Sequence, residues 1–384
     1  MDKMSDSNFG GLKINLDCRF FVGEKPCKFK TLCPSCPHYS PMGLRILIIK
    51  LGAIGDVLRT TPLLPALKNK HTESYITWVT DKVSLELLQM NPYIDRLLPF
   101  SYETILRLEE EKFDLVLCLD KEPRASALSM RIKSDKKQGF GLSRYGTIFP
   151  LNKESIYAFR LGIDDNLKFR ENKKSYQEII FEAAGLSYNR EEYVLSPSPS
   201  SVEYAKKLLD RIGINKNDRL IGISPGAGQV FVNKAWTIDG YIKLVESINN
   251  YASANAGIKI ILLGGPGEVE INKIIKERVK TPLYDSGCGN TLSQFIAIVA
   301  RCDMVISGDT LTMHLGIGLK KQVLAIFGPT CHQEIELYGR GEKVVSTIGC
   351  APCYKNNCSL NDNCMTSITV DEVYEKAMRL LSCI

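Results

Sequence analysis

Short apolar segments, most of which end in glycine-containing loops, recur along the chain, and no other feature constrains its fold as strongly. The first, at 44–49, is rich in β-branched residues and fits a strand that is buried on both faces. Similar segments lie at 75–79, 115–119, 220–224, 258–263, 304–306 and 323–327. Helical patterns separate them at 56–59, 63–67, 83–88, 241–248, 269–279 and 292–299. This alternation predicts an α/β protein built from repeated β-α units around parallel sheets.

A segment rich in Ser and Pro at 193–201 divides these units into two series and is typical of a linker. The 384 residues exceed one ordinary domain, which has about 100–200 residues, so we expect two cores. We predict four regions: a cysteine-rich leader (1–42), a first α/β domain (43–195), a second α/β domain (196–345), and a cysteine-rich loop with a terminal helix at 370–381 (346–384).

Composition excludes several classes of protein. A hydrophobic share of 44% and a charged share of 24% are typical of a globular protein. No apolar run reaches the roughly 18 residues that span a bilayer, and residues 1–5 do not resemble a signal peptide. The net charge of +6 is compatible with an anionic ligand or with peripheral contact with the inner membrane, but dense Lys/Arg blocks of a nucleic-acid binder are missing. We therefore expect a cytoplasmic protein.

The glycine-rich loop at 50–56 follows the first predicted strand and ends in Asp56. Asp56 as a helix N-cap is one interpretation, because carboxylates suit that position. The other is that the two glycines let a substrate approach the backbone while Asp56 points into a cleft between the domains. A carboxylate placed there accepts a proton from a hydroxyl nucleophile.

Two further glycine-rich loops follow strands of the second series. The loop at 224–228, with Lys234 nearby, has the composition of a phosphate-binding loop, although Pro-Gly and Ala-Gly are also ordinary turn residues. The loop at 264–268 ends in Glu268, which is suited to accept hydrogen bonds from ribose hydroxyls. Its alternative role is to open the next helix, where a carboxylate is favoured by the helix dipole.

The loop at 307–314 also runs from a strand end to a predicted helix start, and it carries Ser and Thr hydroxyls. Such a helix start binds anions. Asp309 is alternatively a simple cap, and His314 is alternatively a buried core histidine.

The four loops in this order, with 234–236 and 327–330, resemble glycosyltransferase family 9, the ADP-heptose:lipopolysaccharide heptosyltransferases, over roughly residues 44–380. The resemblance implies a GT-B fold, in which two Rossmann-like domains face each other across a cleft. It places the acceptor on the first domain, with Asp56 as general base, and the nucleotide sugar on the second. The positions that it implies for donor binding are Ser224, Gly226, Lys234, Glu268, Asp309, Thr310 and His314.

The resemblance implies inverting, metal-independent transfer of a heptose from a nucleotide diphosphate, ADP-heptose, to a hydroxyl acceptor such as lipopolysaccharide core. Phosphates of a lipid-linked acceptor would contact Arg59, Arg124, Arg131 and Lys133, unless these residues form a solvated face. At 311 the family has a small residue, and Leu311 would crowd a diphosphate. Two alternatives remain open: a protein O-heptosyltransferase, and a metal- or Fe–S-containing nucleotide-binding protein without transfer activity.

Eight of the 13 cysteines form two clusters near the chain ends. Cys350, Cys353, Cys358 and Cys364 have the spacing of a thiolate metal site and resemble the four-cysteine iron finger of bacterial autotransporter heptosyltransferases. Cys18, Cys27, Cys33 and Cys36 match a metal site more loosely, with His38 as a substitute ligand. We predict no cofactor for transfer and structural iron, Fe–S or zinc at these clusters, with disulfides or free thiols as the alternative. The C-terminal cluster is expected to lie away from the donor-binding strand ends.

Overall fold

The leader forms a small unit of its own ahead of the two α/β domains. The computed structural model describes residues 6–226, 232–254 and 257–384. A hairpin of β1 (Asp6–Phe9) and β2 (Leu12–Asn15) opens the described part of the chain, and turns follow as far as residue 42. Arg19 joins the leader to the first domain, with its Nη1 3.5 Å from Asp95 Oδ1.

The first domain contains a six-stranded sheet in the order β5-β4-β3-β6-β7-β8. The strands are β3 (Leu44–Ile49), β4 (Ser74–Thr80), β5 (Arg96–Pro99), β6 (Lys112–Cys118), β7 (Lys133–Leu142) and β8 (Ile148–Pro150). All neighbours are parallel except β7 and β8, which are antiparallel. Seven α-helices connect or cover these strands: α1 (Ile54–Thr60), α2 (Leu63–Lys70), α3 (Leu85–Leu88), α4 (Tyr102–Glu110), α5 (Pro123–Arg131), α6 (Ile156–Arg160) and α7 (Tyr176–Ala183).

The second domain contains another six-stranded sheet, in the order β11-β10-β9-β12-β13-β14, and all of its strand pairs are parallel. In chain order its elements are α8 (Pro199–Arg211), β9 (Arg219–Ser224), α9 (Ile238–Ala254), β10 (Ile258–Leu262), α10 (Val269–Arg278), β11 (Tyr284–Asp285), α11 (Leu292–Arg301), β12 (Met304–Gly308), α12 (Leu311–Gly318), β13 (Gln322–Phe327) and β14 (Gly341–Val345). The cysteine-rich loop and α13 (Val370–Leu381) complete the chain.

Both sheets have the strand order of a Rossmann fold. The first strand of each sheet lies in the centre, and the strand order reverses beside it, where the chain crosses to the other half of the sheet. Ligands of such sheets bind beyond the carboxyl ends of the strands, at the reversal point. In this chain those points are the loops after β3 and β6 and the loops after β9 and β12. The predicted α/β architecture of two Rossmann-like domains is therefore confirmed.

The two domains share one buried apolar cluster. It includes Leu58 of α1 and Leu63 of α2 from the first domain, and Met313 and Leu315 of α12 from the second. Burial of apolar side chains on both sides of the boundary holds the domains together through the hydrophobic effect. The contact between α1 and α12 brings the loops after β3 and β12 to the same cleft.

The predicted linker is only partly correct. No helix or strand lies between Ala183 and Pro199, but α8 begins at Pro199, inside the Ser/Pro-rich segment. Ser198 is the N-cap of α8 and its hydroxyl accepts a hydrogen bond from the Ser201 N–H at 3.3 Å. Ser at the N-cap and Pro at the first helical position are also the preferred start of a helix. A Ser/Pro-rich segment is therefore compatible with either a linker or a helix N-terminus.

Candidate active site

The loop after β3 is shaped by a buried ion pair with the end of β6. The ammonium group of Lys50 lies 3.3 Å from Asp120 Oδ1. Asp120 Oδ2 accepts hydrogen bonds from the backbone N–H groups of Leu51 and Gly52, at 3.0 and 3.2 Å. Burial opposes the charge of Lys50, but Tyr176 and the carboxylates of Asp56 and Asp120 raise its pKa above the usual value. Lys50 therefore contributes a fixed positive charge beside Asp56.

Asp56 lies in the first turn of α1, but it is not the cap. The N-cap is Ala53, and no side chain caps this helix, so the interpretation of Asp56 as an N-cap is wrong. Its Oδ1 lies 2.9 Å from Arg59 Nε, and its side chain is 37% exposed. Burial would raise the pKa of Asp56, but the charges of Arg59 and Lys50 outweigh it and hold the pKa below its usual value. Asp56 is therefore ionised at neutral pH.

Arg59 is held on three sides, which fixes the charge that faces Asp56. Its guanidinium carbon lies 3.7 Å from the ring centroid of Tyr176, and Nη1 lies 3.9 Å from Glu334 Oε2. The side chain is 14% exposed. The carboxylates around it raise its pKa despite burial. A planar guanidinium that stacks on an aromatic ring loses little further freedom when it holds a carboxylate.

A cavity of about 570 Å³ opens beside this ion-pair network in the first domain. Its wall combines basic, acidic and aromatic side chains, including Lys50, Asp56, Arg59, Asp120, Lys121, Phe140, Lys168, Tyr176, Glu334 and Tyr354. Cationic side chains are present on several sides of the cavity, as an acceptor with anionic groups would require.

The predicted acceptor-binding residues do not all lie at this cavity. Arg59 lines it, whereas Arg124, Arg131 and Lys133 are not among the lining residues. Arg124 pairs with Asp81 and Glu122. At the opposite end of α5, Arg131 pairs with Glu109, and Lys133 pairs with Glu110.

A second cavity, of about 360 Å³, lies beyond the strand ends of the second domain. It is lined by Ser224, Gly226, Gly264, Gly265, Pro266, Glu268, Asn290, Leu292, Phe295, Thr310, Leu311 and Thr312. Four predicted donor-binding residues thus share one cavity: Ser224, Gly226, Glu268 and Thr310. Ala227 and Gly228 of the predicted loop lie outside the described residues.

Gly226 and Glu268 fit against each other in this cavity. A Cβ atom at Gly226 would lie 2.2 Å from Glu268 Cγ, so a larger residue would displace the glutamate. Glu268 Oε2 accepts a hydrogen bond from the Gly265 N–H at 2.8 Å, and Glu268 is also the N-cap residue of α10. The second carboxylate oxygen leaves an acceptor for a ligand hydroxyl. Both interpretations of Glu268 from the sequence are therefore compatible with its position.

Hydroxyl groups and an ion pair surround the start of α12. Thr310, not Asp309, is the N-cap residue, so the interpretation of Asp309 as a cap is wrong. Asp309 Oδ2 instead lies 3.1 Å from Lys234 Nζ. Burial opposes ionisation of Asp309, but the charge of Lys234 and its hydrogen bond lower the pKa of Asp309. Thr310 Oγ1 lies 2.8 Å from Ser307 Oγ. Thr310, Leu311 and Thr312 at the start of α12 line the cavity, and the first N–H groups of a helix have no partner within it.

His314 lies between the two domains and does not line either cavity. It is 6% exposed, and its Nδ1 lies 3.4 Å from the hydroxyl of Tyr193. Burial and the charge of Arg59 lower the pKa of His314 to about 4, so it is neutral at pH 7. A Cβ atom at Gly55 would lie 2.7 Å from His314 Cδ2. Glycine at 55 is therefore required for α1 to approach α12, and that approach brings Asp56 to the second domain.

Sequence reasoning missed several residues that line the cavities. Lys121, Lys168 and Tyr354 line the first cavity, and Asn290 and Phe295 line the second. Lys121 lies three residues after the end of β6, and this position at a strand end is the one signal that could have identified it from the sequence. Leu311 lines the second cavity.

The cysteine-rich loop packs on the end of β13 and borders the first cavity through Tyr354. Its described residues do not line the second cavity, so the prediction that it lies away from the donor-binding strand ends stays a prediction. Gly328 follows β13, and a Cβ atom there would lie 2.8 Å from Cys364 Sγ. The N–H groups of Cys353 and Tyr354 both donate to the Pro329 carbonyl, at 3.0 and 2.9 Å. The loop therefore folds back onto the end of β13 instead of continuing away from it.

The same loop also contacts the first domain. Arg170 donates hydrogen bonds to the carbonyls of Ala351 and Gly349, at 2.9 and 3.2 Å. The ring of Tyr354 stacks on Phe169 with centroids 5.5 Å apart. The C-terminal cysteine region thus contacts the first domain and contributes Tyr354 to the lining of the first cavity.

The thiols of the C-terminal cysteine cluster lie near one another, and the leader cysteines border one cavity. Burial and the neighbouring thiols of Cys353, Cys358 and Cys350 raise the pKa of Cys364 to about 11. In the leader, Cys18, Cys27, Cys33 and Cys36 all line a cavity of about 340 Å³. Within residues 6–226, 232–254 and 257–384, no group of three or more His, Cys, Asp or Glu side chains is arranged to hold a metal ion.

In the described part of the chain, no helix is both long enough and apolar enough to cross a membrane.

Comparison with known proteins identifies relatives of the whole two-domain unit. The family model for glycosyltransferase family 9 (heptosyltransferase) matches residues 102–363. The lipopolysaccharide core heptosyltransferase OpsX of Haemophilus influenzae is 24% identical over 304 residues, which cover 76% of this chain and 81% of that protein.

Solved structures share the fold. ADP-heptose lipopolysaccharide heptosyltransferase II of Escherichia coli matches with a TM-score of 0.65 at 17% identity, over 88% of this chain and 99% of that chain. The iron-containing glycosyltransferase TibC of enterotoxigenic E. coli matches with a TM-score of 0.53 at 12% identity, over 89% of this chain and 77% of that chain. These similarities confirm the predicted GT-B fold.

Proposed function

The chain belongs to glycosyltransferase family 9, the heptosyltransferases, and we propose that it transfers a heptose from ADP-heptose to an acceptor hydroxyl with inversion at the sugar. Asp56 is the general base, the first cavity holds the acceptor, and the second cavity holds the donor. The observation that carries this proposal is the position of Asp56. It is an ionised carboxylate that lines the acceptor cavity, on a helix that packs against the donor domain.

Asp56 has the charge state that a general base needs. The low pKa ensures that the carboxylate is free of a proton at neutral pH. A carboxylate with a low pKa is a weak base toward a free hydroxyl, but the hydroxyl becomes acidic as its oxygen bonds to the sugar. Arg59, 2.9 Å from Asp56 Oδ1, keeps the carboxylate in one orientation before and after it takes the proton.

The reaction is a single displacement. The acceptor oxygen forms a bond to the anomeric carbon while the bond from that carbon to the diphosphate oxygen breaks, and the hydroxyl proton passes to Asp56. The nucleoside diphosphate leaves with the electron pair. Attack from the face opposite the leaving group inverts the anomeric carbon. No metal ion or cofactor takes part in this balance.

The departing diphosphate is stabilised by the start of α12 and by Lys234. Free N–H groups at a helix start and a nearby ammonium group bind negative charge that develops on the leaving oxygen. Lys234 is held by Asp309 at 3.1 Å, which aims the ammonium group next to Thr310 before the donor arrives. Thr310 Oγ1 and the backbone near Gly226 complete this anion-binding surface.

The nucleoside of the donor occupies the remainder of the second cavity. Glu268 accepts from ribose hydroxyls with the oxygen that is not bonded to Gly265. Phe295 and Leu292 offer apolar surface to a base, and Asn290 offers an amide beside them. Leu311 narrows the position of the diphosphate, so the donor must lie closer to the Gly264 side of the cavity than a smaller residue at 311 would allow.

The acceptor carries anionic groups and is a lipopolysaccharide core. Support comes from the cationic side chains Lys121 and Lys168 in the wall of the first cavity and from the heptosyltransferase relatives. A protein acceptor is the second candidate. Tyr354, which belongs to the cysteine-rich loop, favours it by making that loop part of the acceptor site.

Transfer assays with purified full-length protein test these assignments. ADP-heptose, UDP-sugars and GDP-sugars are each offered with a truncated lipopolysaccharide core or with an autotransporter fragment, and products are identified by mass spectrometry. We expect transfer from ADP-heptose to the core, with a product of inverted configuration. Transfer from UDP-sugars only would exclude the donor assignment, and donor hydrolysis without transfer would favour a protein that lost its activity through Leu311.

We also propose that Cys350, Cys353, Cys358 and Cys364 hold one structural iron, with zinc as the alternative metal. The four thiols are neighbours, four thiolates are the usual ligand set for either metal, and TibC is iron-containing. When bound, the metal supplies cross-linking of the loop and no chemistry. Cys353 and Tyr354 then hold the loop on Pro329, and Tyr354 keeps its place in the acceptor cavity.

Elemental analysis with two variants tests this metal site. Cys353→Ser should lose one metal equivalent and lower the melting temperature, whereas Cys383→Ser, an exposed cysteine outside both clusters, should change neither. Equal metal content in both variants would exclude Cys353 as a ligand.

A further inference from the structure

The leader contains a cavity whose wall includes four cysteines that the transfer reaction does not use. Cys18, Cys27, Cys33 and Cys36 all border this single cavity of about 340 Å³. A water molecule has a share of about 30 Å³ of liquid volume, so the space is much larger than one metal ion needs. Four thiols around a space of this size have the ligand number of an iron–sulfur cluster.

The chain turns tightly after Cys27. The Lys30 N–H donates to the Cys27 carbonyl at 3.0 Å, and Lys30 has a φ of 53°, in the left-handed region. This turn keeps Cys27 beside Phe29, which lines the same cavity.

Aromatic rings enclose the same space. Phe20 and Phe29 meet edge to face with centroids 5.1 Å apart, and His38 stacks on Phe29 at 3.9 Å. The Cys33–Ser35 turn, in which the Cys36 N–H donates to the Cys33 carbonyl at 3.2 Å, presents Cys33 and Cys36 together. Each of these two cysteines is followed by proline, as the last cysteine of a bacterial ferredoxin run is.

The leader needs such a cross-link, because it has little core of its own. Val22 and Leu32 are 56% and 70% exposed. A segment of about 40 residues or fewer usually requires disulfides, metals or a partner to fold. The thirteen cysteines are all free.

We propose that the leader binds a [4Fe–4S] cluster through Cys18, Cys27, Cys33 and Cys36, and that this cluster orders the leader. The site is separate from the transfer reaction. The leader joins the amino end of β3, whereas Asp56 follows its carboxyl end, and a strand of six residues separates the two by roughly 20 Å. The cluster thus takes no part in heptosyl transfer, and its loss affects the leader first.

Metal and sulfide counts on the full chain test the proposal. Protein with Cys350→Ser and Cys353→Ser, which weakens the other cysteine cluster, is purified without oxygen and treated with ferrous iron and sulfide. We expect about four iron and about four acid-labile sulfide per chain, with a visible absorption band that dithionite bleaches. Adding Cys33→Ser and Cys36→Ser should abolish the band and both counts, whereas adding Cys383→Ser should leave them unchanged.

Alkylation of the unmodified protein gives a second measurement that needs no variant. In protein loaded with iron and sulfide, mass spectrometry should find the four leader cysteines protected from iodoacetamide and Cys383 modified. Removal of the cluster should expose the leader thiols and make residues 1–42 sensitive to protease. One zinc per leader without sulfide, two iron with two sulfide, or leader thiols that react as fast as Cys383 would each overturn the proposal.

Discussion

The two α/β domains have the same strand order, yet they present different chemistry at their strand ends. The loops after β3 and β6 bring together ionised side chains, with Asp56 paired to Arg59 and Lys50 paired to Asp120. The cavity of the second domain is lined mainly by glycines, hydroxyl groups and apolar side chains, with Glu268 as its one carboxylate. Its principal ion pair, Lys234 with Asp309, lies beside the N-cap of α12 and is not part of the cavity lining.

This difference shows that the sheet determines where a site lies but not what the site does. In both domains the carboxyl ends of parallel strands create the space. In the first, charged side chains from α1 and from the end of β6 enter it and make proton transfer feasible. In the second, glycines leave backbone N–H groups accessible, which suits binding of a diphosphate. Substitutions in the two domains should therefore have separable effects on turnover and on donor binding.

Replacing Asp56 with Asn should have the largest effect. The amide keeps the shape of the side chain but does not accept the hydroxyl proton, so kcat should fall about 100-fold or more, the scale of general-base catalysis. The dissociation constant for ADP should remain within about twofold, because Asp56 lies in the other domain. Steady-state kinetics and calorimetry measure the two effects. Unchanged turnover would show that Asp56 is not the general base. The first domain would then not be the site of proton transfer.

Replacing Lys234 with Ala should weaken ADP binding, which Asp56→Asn leaves unchanged. Loss of a charge-assisted hydrogen bond of about 1.5 kcal/mol should weaken ADP binding roughly tenfold. Asp309→Ala should weaken it in the same direction, because Lys234 then loses its positioning partner. Calorimetry with ADP, UDP and GDP measures these changes and should also rank ADP first. Tighter binding of UDP than of ADP would contradict the donor assignment.

Lys121 and Arg131 provide a matched pair of cations in the first domain. Lys121 lines the acceptor cavity, whereas Arg131 pairs with Glu109 at the far end of α5. Lys121→Ala should raise the acceptor KM about fivefold, the scale of one partly screened ion pair, with kcat little changed. Arg131→Ala should leave both constants unchanged. Equal effects from the two substitutions would mean that the cavity does not select the acceptor.

The pH dependence should be the smallest effect of all. The pKa of Asp56 is lowered from its usual 3.8, and a carboxylate base is active above its pKa and loses activity as the pH falls through it. From pH 7 to pH 5, kcat should therefore change by less than about twofold. Arg59→Gln removes the charge that lowers this pKa, so the loss of activity should begin at a higher pH. If the dependence of kcat on pH is the same in Arg59→Gln as in the unmodified protein, ionisation of Asp56 does not control the rate.

The strands with the clearest patterns were predictable, and the edge strands were not. Residues 44–49 were expected as a strand and form β3, and 370–381 were expected as a helix and form α13. The polar strand β7 (Lys133–Leu142) and the edge strand β14 (Gly341–Val345) were missed, because half-exposed strands lack a continuous apolar run. Helix α12 is buried on every side and has no polar face, so its periodicity gave no signal.

In the active site, the sequence correctly predicted the features that lie within a single loop. The glycine loops at 50–56, 224–226, 264–268 and 307–310 lie at strand ends, as predicted. The charged residues on helices were less predictable. Arg59 on α1 reaches the acceptor cavity, but Arg131, the last residue of α5, does not. The spacing along one helix does not specify which of its faces meets a cavity formed by other elements.

By itself the sequence determined the order of strands and loops, because local apolar periodicity, β-branched residues and glycines act over a few residues. Only the tertiary structure decided which side chains meet. Tyr354 joins a cavity with Asp56 because the cysteine-rich loop returns to Pro329, and Gly55 approaches His314 because the two domains share an apolar core. Such contacts join residues hundreds of positions apart, so they depend on how complete domains pack and not on local preference.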